Sequence, residues 1–339
     1  MSPPIQTPRS DLPKGHREVS VLRITDPTAV GDWIEVLNMD VISLDPVGFE
    51  YKQISVPLEG CCLIYQSTTK ALRTHSRVHE DFESAWLLGP QAHGSLDGTE
   101  LHSHALIAAG PGAHGQLIAD SNYENIGWLV PPRVLEKHLS LRGKKGGFAI
   151  PENHEVWHPD PIVAQELFEL GTRIAEVAEK SPAIFDDNRW ARYGAQVEIM
   201  DLLIATIESC SPDEQADDGK KSRSFSEIVR ACEDYTLALE GRRPYVSELC
   251  ATANVSERTL QYAFQDIMGM SPLTYLTRLR LHRARDELRR AKSGSTTVTD
   301  VAMNWGFWQL GDFSQAYKNC FGEMPSRTLR RKFDDRDML

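Results

Sequence analysis

Apolar positions change their rhythm along this chain. Between about 44 and 150 they fall in short runs, at 49–56 (FEYKQISV), 61–67 (CCLIYQS), 82–89 (FESAWLLG), 101–110 (LHSHALIAAG) and 123–131 (YENIGWLVP). Gly, Pro and Asp separate the runs, as residues of hairpins and loops do, which predicts an antiparallel sheet curled into a barrel or sandwich. Two helical patterns follow. One covers about 161–180 and starts behind Pro161. The other, about 187–209, carries Trp190, Tyr193, Val197, Met200, Ile204 and Ile207 at spacings of three and four. Such a seam suits a coiled-coil-like contact between two copies of the chain, the reading favoured here, or packing against the chain's own sheet. Periodicity is lost over 210–224, a linker by composition. Ser224 with Glu227 then offers a capping box for the next domain.

From 225 to 333 the pattern is helical, and two short helix-turn-helix patterns stand in tandem at 247–269 and 299–322. In the first, Leu249, Leu260 and Phe264 are the expected core, with Leu260 and Phe264 four apart on one face. Ser256 is placed as N-cap of the second helix. Arg258, Gln261 and Tyr262 project from the opposite face, where Arg suits guanine and Gln suits adenine in the major groove. Ser256 and Thr259 sit at the helix N-terminus, where a phosphate oxygen is welcome. Gly269, Ser271 and Pro272 end one helix and start the next, 272–291. It buries Leu276, Leu279, Ala284 and Leu288 and bears many arginines, most of them read as solvated and Arg280 as a phosphate contact. In the second unit the reading helix begins near Gln309. Leu310, Ser314 and Gln315 are its candidate base contacts and Lys318 its phosphate contact. Leu310 offers no hydrogen bond, so this helix should read thymine methyls or shape. Two such units held rigidly reach major-groove segments roughly 34 Å apart.

These residues resemble the AraC/XylS family of bacterial transcription regulators. The similarity lies in 255–264 (VSERTLQYAF), 269–285 (GMSPLTYLTRLRLHRAR), Trp305-Gly306-Phe307 and 321–326 (FGEMPS). The runs 306–313 (GFWQLGDF), 259–264 and 325–329 (PSRTL) resemble the branch that contains the ethanolamine-operon regulator. Residues from 48–56 to 133–139 are similar in layout to that regulator's sensor domain. The expected fold is therefore α+β in two domains. Residues 21–209 form a cupin-like β-barrel with a helical hairpin, behind a disordered lead-in at 1–20. After the 210–224 linker comes an all-α tandem helix-turn-helix domain at 225–333. The resemblance implies an activator that binds double-stranded promoter DNA, meets RNA polymerase, forms a homodimer and answers a small-molecule effector. A barrel mouth is a natural ligand site, with Tyr51, Tyr65, Trp86 and Trp128 as candidate lining.

Charge divides with the domains. The chain of 339 residues has a net charge of −11. Residues 221–333 carry 18 Lys and Arg against 12 Asp and Glu, a net of +6, whereas 1–220 carry 18 against 33. Positive charge thus lies where DNA should bind. No apolar stretch approaches the ~20 residues that span a bilayer, and the start of the chain has no hydrophobic signal core. A cytoplasmic protein is expected.

Catalytic patterns fail on inspection. Residues 154–158 (HEVWH) match the H-E-x-x-H zinc pattern, which needs both histidines on one helix face. Pro151, Pro159 and Pro161 bracket them, and His158 precedes a proline. His102 and His104 share a strand face, which leaves a metal or polar-ligand role, and with it a metallo-cupin enzyme, as the alternative. No carboxylate follows at the short spacing of a cupin metal site. The Gly-rich run 110–115 has no phosphate-binding Lys. The six cysteines form no C-x-x-C pair, and no disulfide framework is expected. No enzyme activity, metal or cofactor is implied.

Overall fold

A computed structural model describes residues 18–33, 39–141, 150–210, 218–239, 241–292 and 294–331. The lead-in up to residue 17 and the linker stretch 211–217 lie outside them. The amino-terminal part runs β1 (Ser20–Ile24), α1 (Val30–Trp33), β2 (Asp40–Ser43), β3 (Tyr51–Pro57), β4 (Cys62–Thr68), β5 (Leu72–Arg77) and β6 (Glu83–Leu88). It continues through β7 (Gly94–Leu96), β8 (Thr99–Leu101), β9 (Leu106–Ala109), β10 (His114–Ala119), β11 (Glu124–Val130), α2 (Pro132–Leu141) and β12 (Glu155–Trp157). Three helices follow: α3 (Pro161–Lys180), α4 (Ala183–Asp186) and α5 (Arg189–Glu208). The carboxy-terminal part is helical: α6 (Asp218–Ala238), α7 (Val246–Ala253), α8 (Glu257–Met268), α9 (Pro272–Arg290), α10 (Val298–Asn304), α11 (Leu310–Phe321) and α12 (Pro325–Arg330).

The strands make two separate antiparallel sheets, ordered β1-β3-β4-β11-β6-β9-β12 and β2-β5-β10-β7-β8. The expected cupin-like barrel is therefore not closed; the sheets face each other as a sandwich. Period-two alternation sorts the side chains. Cys62, Ile64, Trp86 and Leu88 enter the core between the sheets, with Leu72, Leu96 and Ala119 from the opposite one. Leu63, Ala85, Leu87 and Trp128 point the other way and meet α3 and α5. This alternation also separates the four aromatic ligand candidates. Tyr51 and Trp86 fill the inter-sheet core, while Trp128 and the half-buried Tyr65 pack under the helices. They do not line one pocket, because successive strand residues face opposite sides. Trp86 lies across Gly127, where a Cβ would come within 2.2 Å of its ring.

Asp160 and Asn188 cap α3 and α5 by accepting amide hydrogens. The α5 seam is divided. Met200, Ile204 and Ile207 are buried in their own chain's core, so they are not free for a dimer contact. Trp190 remains 76% exposed, and Tyr193 and Val197 are half-buried.

The outer face of the five-stranded sheet is not a solvated surface. Ile42, Leu44 and Ile118 share one core with Ile228, Val229, Leu249, Leu260, Phe264 and Leu276 of the helical part. The two parts are docked through continuous apolar packing. Residues 218–224, expected in the linker, already belong to α6.

Candidate nucleic-acid interface

In the first helical pair, Asn254 turns the chain at φ +53° and Val255 donates its amide to the Cys250 carbonyl at 3.0 Å. Ser256 caps α8, its hydroxyl accepting the Thr259 amide at 3.1 Å, and Gly269 closes the helix in the left-handed region at φ +67°. Leu249, Leu260 and Phe264 are fully buried. Opposite them, Arg258, Gln261 and Tyr262 are exposed together. The Arg258 guanidinium donates to the Tyr262 hydroxyl at 2.9 and 3.2 Å, one helical turn away.

The second pair repeats the plan. Thr297 and Asp300 cap α10 reciprocally. Phe307 donates its amide to the Ala302 carbonyl at 2.8 Å across the turn. Val301, Ala302, Phe313 and Tyr317 form the core with Leu281, Ala284 and Leu288 of α9. Gln309 is the N-cap residue of α11 but makes no side-chain cap. Leu310, Gln315 and Lys318 are exposed and Ser314 is half-buried. Gln315 Nε2 donates to the side-chain Oδ1 of Asn319 at 2.8 Å.

Helix α9 holds both pairs, and its arginines are not the solvated row expected of a linker. Arg285 is 5% exposed and reaches Asp26 at 2.9 Å and Glu323 at 3.0 Å. Burial opposes charge on Asp26, but Arg285 outweighs it and holds that carboxyl below its ordinary range. Arg283 binds Asp40, and Arg289 donates to the Thr28 carbonyl at 3.0 Å. Arg280 is also buried. It donates to the Trp305 carbonyl at 3.1 Å and lies 4.7 Å from the Phe307 ring centre, so its guanidinium braces the second pair against α9. That departs from the direct phosphate contact expected of it.

Local sequence does not show the pairing of Arg285 and Arg283, because their partners, Asp26 and Asp40, lie over 240 positions away. Residues 249–331 match the family described as "Helix-turn-helix domain". This region is a helix-turn-helix domain of the kind found in transcription regulators. The domain is 39% identical over 103 residues to the "Probable thc operon regulatory protein" of Rhodococcus erythropolis, covering 30% of this chain and 31% of that one. It is 32% identical over 112 residues to the "XylDLEGF operon transcriptional activator 3" of Pseudomonas putida, 32% of each chain. The chain thus spans about a third of the length of these curated relatives. A solved probable AraC family transcriptional regulator from Rhodopseudomonas palustris CGA009 shares 39% identity over 31% of this chain and 95% of that one, with a TM-score of 0.28.

Outside the helix-turn-helix domain, the 154–158 motif does not form the helix that zinc chemistry needs, since 155–157 is strand β12. His104 meets Gln165 at 2.7 Å and His102 lies 3.8 Å from Glu100. Among the described residues no three His, Cys, Asp or Glu side chains gather to hold a metal. No described helix is long and apolar enough to cross a membrane.

Proposed function

We propose that the chain is a sequence-specific transcription regulator, an activator of the promoters it binds. The supporting observation is the pair of helix-turn-helix units on one helix, α9, with both reading faces exposed. In this reading Arg258, Gln261 and Tyr262 contact bases from α8, and Leu310, Ser314 and Gln315 from α11. Ser256, Thr259 and Lys318 hold phosphates. An activator of this kind works in the cytoplasm, on double-stranded promoter DNA beside RNA polymerase. A relative named as a transcriptional activator supports the direction of control.

The amino-terminal domain is the regulatory part of the proposal. A small-molecule effector acts only if it favours one arrangement of the two domains over another. A cleft of about 260 Å³ between the outer sheet and α6 suits that role, lined by Asp40, His75, Arg77, Asp97, His114 and Arg230. Its walls come from both domains, so a polar metabolite there touches the sensor and the reader together. The sequence likeness to the ethanolamine-operon branch makes ethanolamine the first compound to try. Homodimerisation through the exposed end of α5, at Trp190, Tyr193 and Val197, completes the reading. A second reading, a regulator that needs no ligand, draws on the burial of Tyr51, Trp86 and Trp128 in cores.

Selection of duplexes from a randomised library by the full chain tests the central claim. Enrichment of two sequence blocks about one helical turn apart is expected. Recovery of the input distribution would overturn it.

A further inference from the structure

Four arginines are buried among the described residues: Arg73, Arg192, Arg280 and Arg285. Three have carboxylate partners. Arg73 meets Asp40 and Glu233, Arg192 meets Glu59, and Arg285 meets Asp26 and Glu323. Arg280 is 5% exposed and has none; carbonyls, a threonine hydroxyl and the Phe307 ring are its only company among the described residues. A buried cation without an anion is costly, which is why buried charges are normally paired. Burial, with Arg243 nearby, lowers the Arg280 pKa to about 10.

Arg280 lines a groove of about 520 Å³ between the two helix-turn-helix units. One wall is the segment that enters α7, with Arg242, Arg243 and Tyr245. The other is the start of α11, with Trp308 and Asp312. Arg242 is already engaged by Glu248 at 2.9 Å. Arg243 is exposed and makes no hydrogen bond or ion pair among the described residues. The groove therefore holds one free arginine above one buried, uncompensated arginine. Asp312 on the far wall is its one opposing charge. The N-terminal end of a reading helix is the end that approaches the duplex, so a groove bounded by the start of α11 opens toward DNA.

We infer that this groove receives a backbone phosphate of the DNA lying between the two major-groove contacts, with Arg243 as its direct partner and Arg280 as the buried charge beneath. The inference rests on the DNA-binding reading and adds a contact that neither reading helix supplies. Phosphate contact carries no sequence information, so this site sets affinity and register rather than base choice.

The test uses the full chain, a duplex it selects from a randomised library, and a random-sequence duplex of the same length. Arg243→Ala should reduce the slope of log affinity against log salt by about one and weaken both duplexes alike. Arg243→Lys should restore the slope, and Asp312→Asn should strengthen binding to both. Arg258→Ala, in contrast, should alter base choice with little change of slope. An unchanged slope in Arg243→Ala with selection intact would overturn the groove and leave the DNA reading standing. Failure to select any duplex would overturn both. Thermal stabilisation by inorganic phosphate alone, abolished by Arg243→Ala with the salt slope unchanged, would place a free anion there and also overturn the inference.

Discussion

Arg283 of α9 grips Asp40 of β2 with both ends of its fork, Nη1 to Oδ1 at 2.8 Å and Nη2 to Oδ2 at 2.7 Å. The pair crosses from the helix that carries both helix-turn-helix units to the sheet of the other domain. Bidentate geometry makes it a strong kind of ion pair, and partial exposure moderates it. Arg283→Ala should lower stability by about 1–2 kcal/mol in denaturant titration. A double-mutant cycle with Asp40→Ala should return a coupling near 1 kcal/mol, because Asp40 keeps a second partner in Arg73. Additive effects would mean that the pair does not hold the domains together.

Beneath that pair lies a more deeply buried one. Glu233 of α6 is 1% exposed and accepts from Arg73 of β5 and from the Tyr275 hydroxyl of α9. His75 lies 3.3 Å from it and Gln116 3.4 Å. Burial opposes its charge, but Arg73 overcomes this and holds the carboxyl below its ordinary range. Removing one partner leaves the other charge stranded, which costs roughly 3–5 kcal/mol. Glu233→Gln should approach that figure, and Arg73→Met with Glu233→Leu together should recover much of it. Since this network joins both domains, the full chain should unfold in one transition that the single variant shifts as a whole.

Base reading has its own signature. Arg258→Ala and Gln261→Ala should each cost about 1–3 kcal/mol on a selected duplex and relax choice at one base position. Arg258 now donates to Tyr262, so Tyr262→Phe should loosen the same position by freeing the guanidinium. Parallel selection with each variant provides the check. Unaltered preference in all three would shift the register of α8.

The C-terminal pattern was legible because its signals are local. Ser256 and Gly269 as caps, Leu260 and Phe264 as core and Pro272 as a helix start depend on neighbours within one turn. Strands β3, β4, β6 and β11 were legible for the same reason, being apolar runs between turns. Strands β5 and β10 fall outside the apolar runs, since Arg73, His75 and Gln116 break the apolar pattern. Glu233 of the other domain receives them, and Asp40 is a second partner for Arg73. The barrel failed at closure, which depends on which strands pair across the edges and leaves no mark in the runs. The aromatic pocket failed on strand register. One residue of offset decides which face a side chain meets.

His282 gives the stability a pH dependence with a definite sign. It is wholly enclosed near Phe321, and neither ring nitrogen has a hydrogen-bond partner. Burial, and the positive charge of Arg278 and Arg285 against Asp26 and Asp40, pushes its pKa from 6.5 down to about 3. The unfolded chain takes up this proton as pH falls through 6.5 and the folded chain does not. Stability should therefore be full above 6.5 and decline below it, by at most about 1.4 kcal/mol per pH unit for this group. Below about 4.5 the lowered carboxyls Asp26, Asp40 and Glu233 add losses of the same sign. His282→Phe should flatten the curve between 4.5 and 6.5. An unchanged slope there would assign it to another group, His154 first, whose pKa is also lowered by burial.

Two glycines of the second helix-turn-helix unit should answer to alanine in opposite ways. Gly306 sits in the turn at φ +74°, and a Cβ there would come within 2.6 Å of the Arg242 carbonyl carbon. That neighbour is backbone, pinned by the Gly241 amide donating to the Asn304 carbonyl at 3.0 Å. Gly306→Ala therefore meets both the left-handed penalty and a clash that no rotamer relieves, together roughly 2–4 kcal/mol. The segment that must give way carries Arg243, so weaker DNA binding should accompany the lost stability. Gly311, in the first turn of α11, has open space where a Cβ would go and no positive φ. Gly311→Ala should be neutral or stabilise by up to about 1 kcal/mol. Denaturant titration of the two variants side by side checks the contrast. Equal effects would mean that the 241–243 segment does not pack on the turn, and Arg243 would lose its place beside the groove.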